Sequence, residues 1–548
     1  MNFPIIALAA SVSVLRVLAL IGVSILTGWL LAYPAAKNRG FESAYVTALG
    51  VLESVPVIGF FPLVLVFFLY RIGGSLGTEL AADFLVFDAV VWNIWVGTYQ
   101  AFKTIPKEWV EVGENYGYST FKKIWKVYVP FSVPRIAANL FPSFADGLFY
   151  LTVSEVVTIG LHTYETFGAG SLITNYLSEG QLSSVYYTLL FLAVAVVTAT
   201  LALRLFANWA VAKFTVDTDI PITRRGRIRA RYSITTARTL SMNTMARLSS
   251  YARRLTPRSV RTQGETRLPQ RLRSFIHSLP KHSRLIVAVV GFSLLAYIGY
   301  SAWILVSGVG YATWFYLISN TPNFLYGLLV DYIRVAVITG ASFVLATTLG
   351  YMLAVKKGVE RIGLPIIQIF SSFPAPAYFP IVFAFTYPIL LSVFHGLTDE
   401  FYVLLLGWLS TFYYVLYSFW MGVKALPSEY WEISRNLNMG FLTKMRRIVV
   451  PATLPYLVSG LSSTINSAWG GLEIGEYWTN IYGRQSLGVH TGLIRQLDVA
   501  TAQGNLAVAG WLSLLFAVVV ATFSLIFTKR MMDLSRERYV AEEGIYAA

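Results

Sequence analysis

The chain has 548 residues, of which 56% are hydrophobic and only 13% charged, and its mean hydropathy is +0.59. Soluble domains carry roughly a quarter of their residues as charges, so these values exclude an ordinary soluble enzyme and indicate a polytopic membrane protein. The formal charge of +15 is local: between Lys213 and Arg284, seventeen Lys/Arg stand against Asp217, Asp219 and Glu265, a balance of +14, so the rest of the chain is close to neutral.

Taken in order, the first apolar run covers roughly 16–36 and ends at Lys37 and Arg39. The N-terminus before it lacks a basic start and a small-residue cleavage site, and reads as mature chain rather than as a signal peptide. A second run, about 45–70, is interrupted by Pro56 and Pro62, and a third covers about 84–102. A polar island comes next, KEWVEVGENYGYSTFKKIWKVYVPFSVP, from Lys107 to Pro134. Its acids (Glu108, Glu111, Glu114) come early and its cations (Lys122, Lys123, Lys126) late, the order that suits a helix dipole, and Pro106 stands where a missing N–H costs little. The fourth and fifth runs cover about 131–160 and 185–212.

The segment 216–283 is rich in Arg, Ser and Thr, with Pro257, Pro269 and Pro280 and no sustained apolar periodicity. It reads as a solvated tether drawn to anionic lipid head groups. Its aromatics, Tyr232, Tyr251 and Phe275, are too few for a nucleic-acid stacking platform. An apolar run at about 285–306 comes after it. The first pattern then repeats: Arg16, Pro56 and Pro62 correspond to Arg334, Pro374 and Pro380 at a shift of 318. Further runs cover about 364–393, 401–423, 452–478 and 507–527. The expected fold is therefore all-α: two parallel repeats of a five-span core plus one extra span, about eleven transmembrane helices. A five-span unit ends on the side opposite its start, so a second copy in the same orientation needs one more crossing. The domains are then 1–215, a linker at 216–283, and 284–548. Cations cluster at Lys37/Arg39, at Lys103–Lys126 and in the linker, which makes that side cytoplasmic and the N-terminus external.

The polar island has a second copy, SEYWEISRNLNMGFLTKMRRIVVPATLP, beginning at Ser428 at a shift of 321. Pro106, Glu108, Glu111, Pro130 and Pro134 meet Pro427, Glu429, Glu432, Pro451 and Pro455. An acid six residues ahead of a glycine, then a Pro-x-x-x-Pro after a short spacer, resembles the EAA loop of ABC importer permeases. Glu111 and Gly117 match its acidic and glycine positions. Glu432 matches in the second copy, but Asn438 stands at the glycine position; asparagine also tolerates left-handed backbone. The stretch PATLPYLVSGLSSTINSAWGGLEIGEYW resembles the branch of importer permeases associated with nitrate, sulfonate, taurine and similar anions.

The resemblance covers both membrane halves but not the linker. It implies a type I importer permease with both transmembrane halves in one chain, and no cofactor. The implied partners are two cytoplasmic ABC ATPase subunits, an extracytoplasmic solute-binding protein and a small, anionic solute. In that family the loop is a coupling helix seated in a cleft of the ATPase. The residues expected to do this are Glu108, Trp109, Glu111 and Gly117 in one half and Glu429, Tyr430 and Glu432 in the other, the two aromatics serving equally well as interface anchors.

Intramembrane charge points to a pathway. Glu155 and Glu476 correspond, about twenty residues past the proline pairs, and Arg16 and Arg334 stand at the start of equivalent runs. These four are the candidate pathway residues; a guanidinium fork suits an oxyanion, while snorkelling is the simpler account of the arginines. Asp146 and Glu473 have no counterparts, and Asp146 reads as a helix-packing hydrogen-bond partner. There is no G-x-x-x-x-G-K-[ST] phosphate loop, no cysteine, and no metal-ligand spacing among His162, His277, His282, His395 and His490, so the chain is expected to be no enzyme. A secondary transporter built on parallel repeats is the alternative, and it would need ion-coordinating groups at the midplane.

Protease applied to the cytoplasmic face should cut near Arg253/Arg254 without abolishing uptake. Cleavage from the external face would overturn the expected topology.

Overall fold

The computed structural model describes residues 2–38, 71–159, 162–214, 308–482 and 485–539, with scattered positions between 41 and 69. The expected second span (45–70) lies largely outside the described residues, and the linker and the extra span at 285–306 lie wholly outside them. The chain divides into two compact units, Met1–Ala207 with Gly310–Ala548, and Asn208–Val309. The first unit holds most of both repeats.

In the first repeat α1 (Phe3–Lys37), α2 (Gly74–Lys103) and α4 (Val129–Ser154) are the long apolar helices, with the arm α3 (Lys107–Asn115) between α2 and α4. A hairpin of β1 (Val156–Ile159) and β2 (His162–Glu165) comes next, then the short α5 (Ala169–Ser178) and the long α6 (Leu182–Phe214). The second repeat opens with α7 (Tyr311–Leu345), the equivalent of α1. It continues through α8 (Lys357–Ser372), α9 (Ala375–Phe394), α10 (Thr398–Lys424), the arm α11 (Ser428–Asn436) and α12 (Leu454–Glu476). It closes with β3 (Tyr477–Tyr482), β4 (Gln485–Gly488), α13 (Leu493–Ala502) and α14 (Leu506–Tyr539).

Among the described residues six stretches are long and apolar enough to cross a membrane, or eight if each of two bent helix pairs counts as one span. That is fewer than the expected eleven, in part because two expected spans fall outside the description. Three boundaries also differ. The expected run 364–393 breaks at Phe373 and Pro374, because the residue before a proline is driven out of helical geometry; Phe373 sits at φ −85°, ψ 123°. The fourth span and its counterpart stop at Ser154 and Glu476 instead of running to 160 and 478. Each gives way to a strand, since Val-Val-Thr-Ile and Tyr-Trp-Thr-Asn-Ile-Tyr are β-branched and aromatic sequences. β1 pairs antiparallel with β2 (Val156 opposite Glu165), and β3 with β4 (Tyr477 opposite Gly488). The helical fold thus carries two small hairpins that the expected all-α class omitted.

Just ahead of the matched prolines the helix widens in both repeats, over Ile124–Tyr128 and Met445–Val449. Pro130 and Pro451 lack an N–H, and their rings crowd the preceding turn; one wide π-type turn relieves that clash. The helices are then bent, by 61° between Thr120–Ala137 and Asn139–Ser154, and by 79° between Phe441–Ala452 and Leu454–Glu476.

Val17, Val90, Phe144 and Leu148 centre the first core, where α1, α2 and α4 meet. Leu328, Leu406, Trp469, Leu472 and Phe516 centre the second, joined by Leu85, Phe149 and Tyr150 from the first repeat. α10 and α12 approach backbone to backbone: a Cβ on Gly471 would lie 2.5 Å from the Cα of Gly407. Across the halves, Asp146 on α4 accepts a short hydrogen bond from the Tyr414 hydroxyl on α10, and one from Asn93 Nδ2 at 3.4 Å. Asp146 is therefore the helix-packing partner its sequence context indicated, and it packs one repeat against the other.

Tyr414→Phe should lower stability by about 1–3 kcal/mol, the usual cost of leaving a buried acceptor without its donor. Thermal unfolding in detergent would read this as a lower midpoint, with exposed Tyr186→Phe as the unshifted control; equal midpoints would refute it.

Candidate functional site

Two features stand apart from ordinary helix packing: the pair of arms, and a buried charge network at the opposite end of α4 and α12. Each arm is nine residues long and is preceded by proline, Pro106 at φ −55° and Pro427 at φ −56°. Each ends in the same way. Gly117 N donates to Glu114 O at 2.9 Å and Tyr118 N to Gly113 O at 3.0 Å. Asn438 N donates to Arg435 O at 3.0 Å and Met439 N to Ser434 O at 3.0 Å. This two-bond ending requires a left-handed residue, supplied by Gly117 (φ 65°) and by Asn438 (φ 45°). The asparagine substitution thus leaves the turn intact.

Glu108, Glu111, Glu429 and Glu432 are all exposed. Trp109 is exposed and lies edge-on to Phe131, with ring centroids 6.5 Å apart, whereas Tyr430 is half-buried. Glu114 pairs with Lys123 at 3.0 Å. The sequence reading missed the apolar members of the exposed face, Val112 and Tyr116 on α3 and Ile433 and Leu437 on α11. The signal was available: they stand four and eight residues after the leading glutamates, on the same helical face.

The network in the second repeat centres on Arg334. The α7 helix begins at Tyr311, so Arg334 lies well inside it rather than at the start of a span, and its side chain is only 4% exposed. Its Nε and Nη2 hold Glu400 at 2.8 and 2.6 Å, and its Nη1 reaches Asp331 at 2.8 Å and Glu476 at 3.1 Å. Asp331 also accepts from Leu493 N (2.8 Å) and Ile494 N (3.2 Å), and Glu476 from Arg495 N (3.0 Å). Two carboxylates therefore satisfy the free N–H groups at the start of α13, where the helix dipole favours negative charge. Asp498, within α13, has its carboxyl pushed well above the usual range by burial and then by the Asp331 charge.

The first repeat builds the same joint with less charge. Ser13 takes the place of Asp331, donating to Glu155 at 2.6 Å and accepting from Ala169 N at 2.9 Å. Gly170 N donates to Glu155 at 2.5 Å. Arg16, also inside its helix and 14% exposed, pairs with Glu79 at 2.5 Å and Asp83 at 3.5 Å and reaches Thr166 at 3.3 Å. The substitution is systematic: Asp331, Glu473 and Asp498 stand where the first repeat has Ser13, Thr152 and Thr174. The matched arginines thus have carboxylates on the forks an oxyanion would use. Glu155 and Glu476 cap the short helices α5 and α13. Among the described residues no group of three or more His, Cys, Asp or Glu is arranged to hold a metal ion.

The sequence profile of a family described as "Binding-protein-dependent transport system inner membrane component" matches residues 5–216 and 346–537. The chain is 25% identical over 147 residues to a nitrate import permease protein of Synechococcus elongatus, covering 26% of this chain and 47% of the relative. It is 24% identical over 155 residues to a putative aliphatic sulfonates transport permease protein of Bacillus subtilis, covering 27% and 52%. It is 31% identical over 108 residues to a bicarbonate transport system permease protein of Synechocystis, covering 19% and 38%. The chain thus spans about half the length of the curated relatives it matches.

Arg334→Gln removes the one cation shared by Asp331 and Glu476, both fully buried, and should cost about 3–5 kcal/mol. Arg16→Gln, at a more open joint, should cost about 1 kcal/mol or less. Yield and thermal midpoint of the two purified variants would separate them; equal losses would refute the assignment.

Proposed function

This chain belongs to the family of binding-protein-dependent transport system inner membrane components, a non-catalytic class, and on that premise we propose that it supplies both transmembrane halves of an ATP-driven importer for a small anion. Residues 1–215 and 284–548 are the two halves, joined by 216–283 as a cytoplasmic tether. In this reading the arms, the linker and the C-terminus lie on the cytoplasmic side and the N-terminus outside, which the clustering of cations supports. Two ATPase subunits hold the arms, and an extracytoplasmic solute-binding protein delivers the solute at the hairpin side.

The observation that carries this reading is the duplicated arm: an exposed, acid-bearing helix of fixed length, pinned at both ends, in each repeat. Each arm leads through a short helix and a wide π-type turn into a bent long helix, so an arm displaced by ATP-driven closure takes α4 or α12 with it. Drawing the two arms together would turn the path between the halves from inward-open to outward-open. The relatives are named for nitrate, aliphatic sulfonates and bicarbonate, all oxyanions, and this supports the solute class proposed here. We assign the matched arginines to the scaffold rather than to the anion path, because their guanidiniums already face carboxylates.

Glu111→Lys with Glu432→Lys should uncouple ATP hydrolysis from uptake and release the ATPase on purification, leaving the permease folded. Uptake should fall by about tenfold or more, the loss expected when a coupling contact is removed. Wild-type assembly and transport in the double variant would sink the docking proposal, and uptake of a neutral sugar in place of oxyanions would sink the anion assignment.

A further inference from the structure

We propose that Asp146, Phe149 and Tyr150 on α4, closed against Tyr414 on α10 and Gly470 on α12, seal the solute path, and that the Asp146 carboxylate makes this seal tight to anions; this rests on the transport reading above. The shift of 321 that relates the halves pairs Asn93 with Tyr414, Asp146 with Ser467, Phe149 with Gly470 and Tyr150 with Gly471. In a twofold arrangement a residue touches its own image only beside the axis. Phe149 does so: a Cβ on Gly470 would lie 3.3 Å from its Cε1, and 2.6 Å from the Tyr150 hydroxyl. Asp146 accepts from Asn93 Nδ2 at 3.4 Å and also from the hydroxyl of that residue's image, Tyr414, which Ser467 reaches as well. A path shared by two such halves runs along their axis, so contact at the axis closes it.

The two halves contribute unequally to this closure. Phe149 and Tyr150, both buried, supply the bulk, and Gly470 and Gly471 leave the space they fill. One half is the plug and the other the socket. The seal lies between the bend of α4 and its far end: Asp146 stands nine residues before Glu155, about 13 Å along the helix. A shift of α4 against α12 therefore parts it.

Charge is unequal in the same place. Asp88, Asp146 and Glu473 stand close enough to act electrostatically on the Tyr150 hydroxyl, and their images are Leu409, Ser467 and Thr152. These acids are not part of the duplicated pattern. Asp331, Glu400 and Glu476 share Arg334, but among the described residues no cation lies at ion-pair distance from Asp88, Asp146 or Glu473. Asp146 is the one of the three held by donors from both halves. An oxyanion entering the closed seal would meet a carboxylate that no cation offsets, in surroundings that screen charge poorly. The aromatic plug excludes by size, and Asp146 excludes by sign.

The chain has no cysteine, so Phe149→Cys with Gly470→Cys supplies a clean pair for joining α4 to α12. The test uses the complete transport complex in proteoliposomes and whichever of nitrate, bicarbonate and an alkanesulfonate the wild type accumulates on ATP addition. A short, reducible, bifunctional thiol reagent should stop that uptake, and dithiothreitol should restore it. Uptake that continues in the joined chain overturns the seal and leaves the transport reading standing. A wild type that accumulates no oxyanion sinks both. Passive flux without ATP tests size and sign separately. Asp146→Asn should raise nitrate flux by about tenfold or more and leave urea, a neutral solute of similar size, at the wild-type rate. Tyr150→Gly, which copies the residue of the other half, should raise both. Unchanged nitrate flux, or an equal rise for urea, in Asp146→Asn removes the role of its charge. Wild-type flux of both solutes in Tyr150→Gly removes the plug.

Discussion

Burying a guanidinium among helices is the constraint on which the second repeat depends. Arg334 cannot leave water without partners that return the lost solvation. Its partners come from three places in the chain: Asp331 on its own helix, Glu400 at the start of α10 and Glu476 at the end of α12. The same carboxylates have oxygens left over, and these take the free N–H groups of α13. One buried charge thereby fixes the ends of three helices against the middle of a fourth. A hydrophobic contact could hold them together, but it would not set their rotation or register.

The first repeat reaches the same geometry by a cheaper chemistry. Replacing Asp331 with Ser13 removes a charge and keeps a hydroxyl able to donate to Glu155 and accept from the α5 backbone. With one fewer buried carboxylate to neutralise, Arg16 is free to lean toward Glu79 and Asp83, in a setting more open to solvent. Duplication therefore preserved the joint while its electrostatics drifted. The second repeat carries the more deeply buried charge of the two at this end.

At the other end the demands are reversed. The arms are exposed and carry little that a membrane domain needs for its own packing. Their rigidity comes from the backbone: proline before, a left-handed residue after, and a proline-induced wide turn leading into the long helix. These devices are local, so they survive large changes in side chain, as Gly117 and Asn438 illustrate. A stiff arm on a bent helix suits the coupling role proposed above, while the charge network holds the far end of α12 in place.

Locality also separates what could be read in advance from what could not. Apolar runs, cation clusters and the repeat at a shift of 321 are properties of neighbouring residues or of composition. They gave the membrane class, the duplication, both arms and the left-handed turn at Asn438. Hydropathy alone carried the expected helices over 156–159 and 477–478, because buried strand and buried helix have the same apolar content and differ in β-branching and aromatic richness. The arginines were visible as a matched pair, but their meaning was not. Arg334 meets Glu400 across 66 residues and Glu476 across 142, and Asp146 meets Tyr414 across 268. Whether a buried charge faces a solute or a counter-charge depends on which helices become neighbours, and only the tertiary packing decides that.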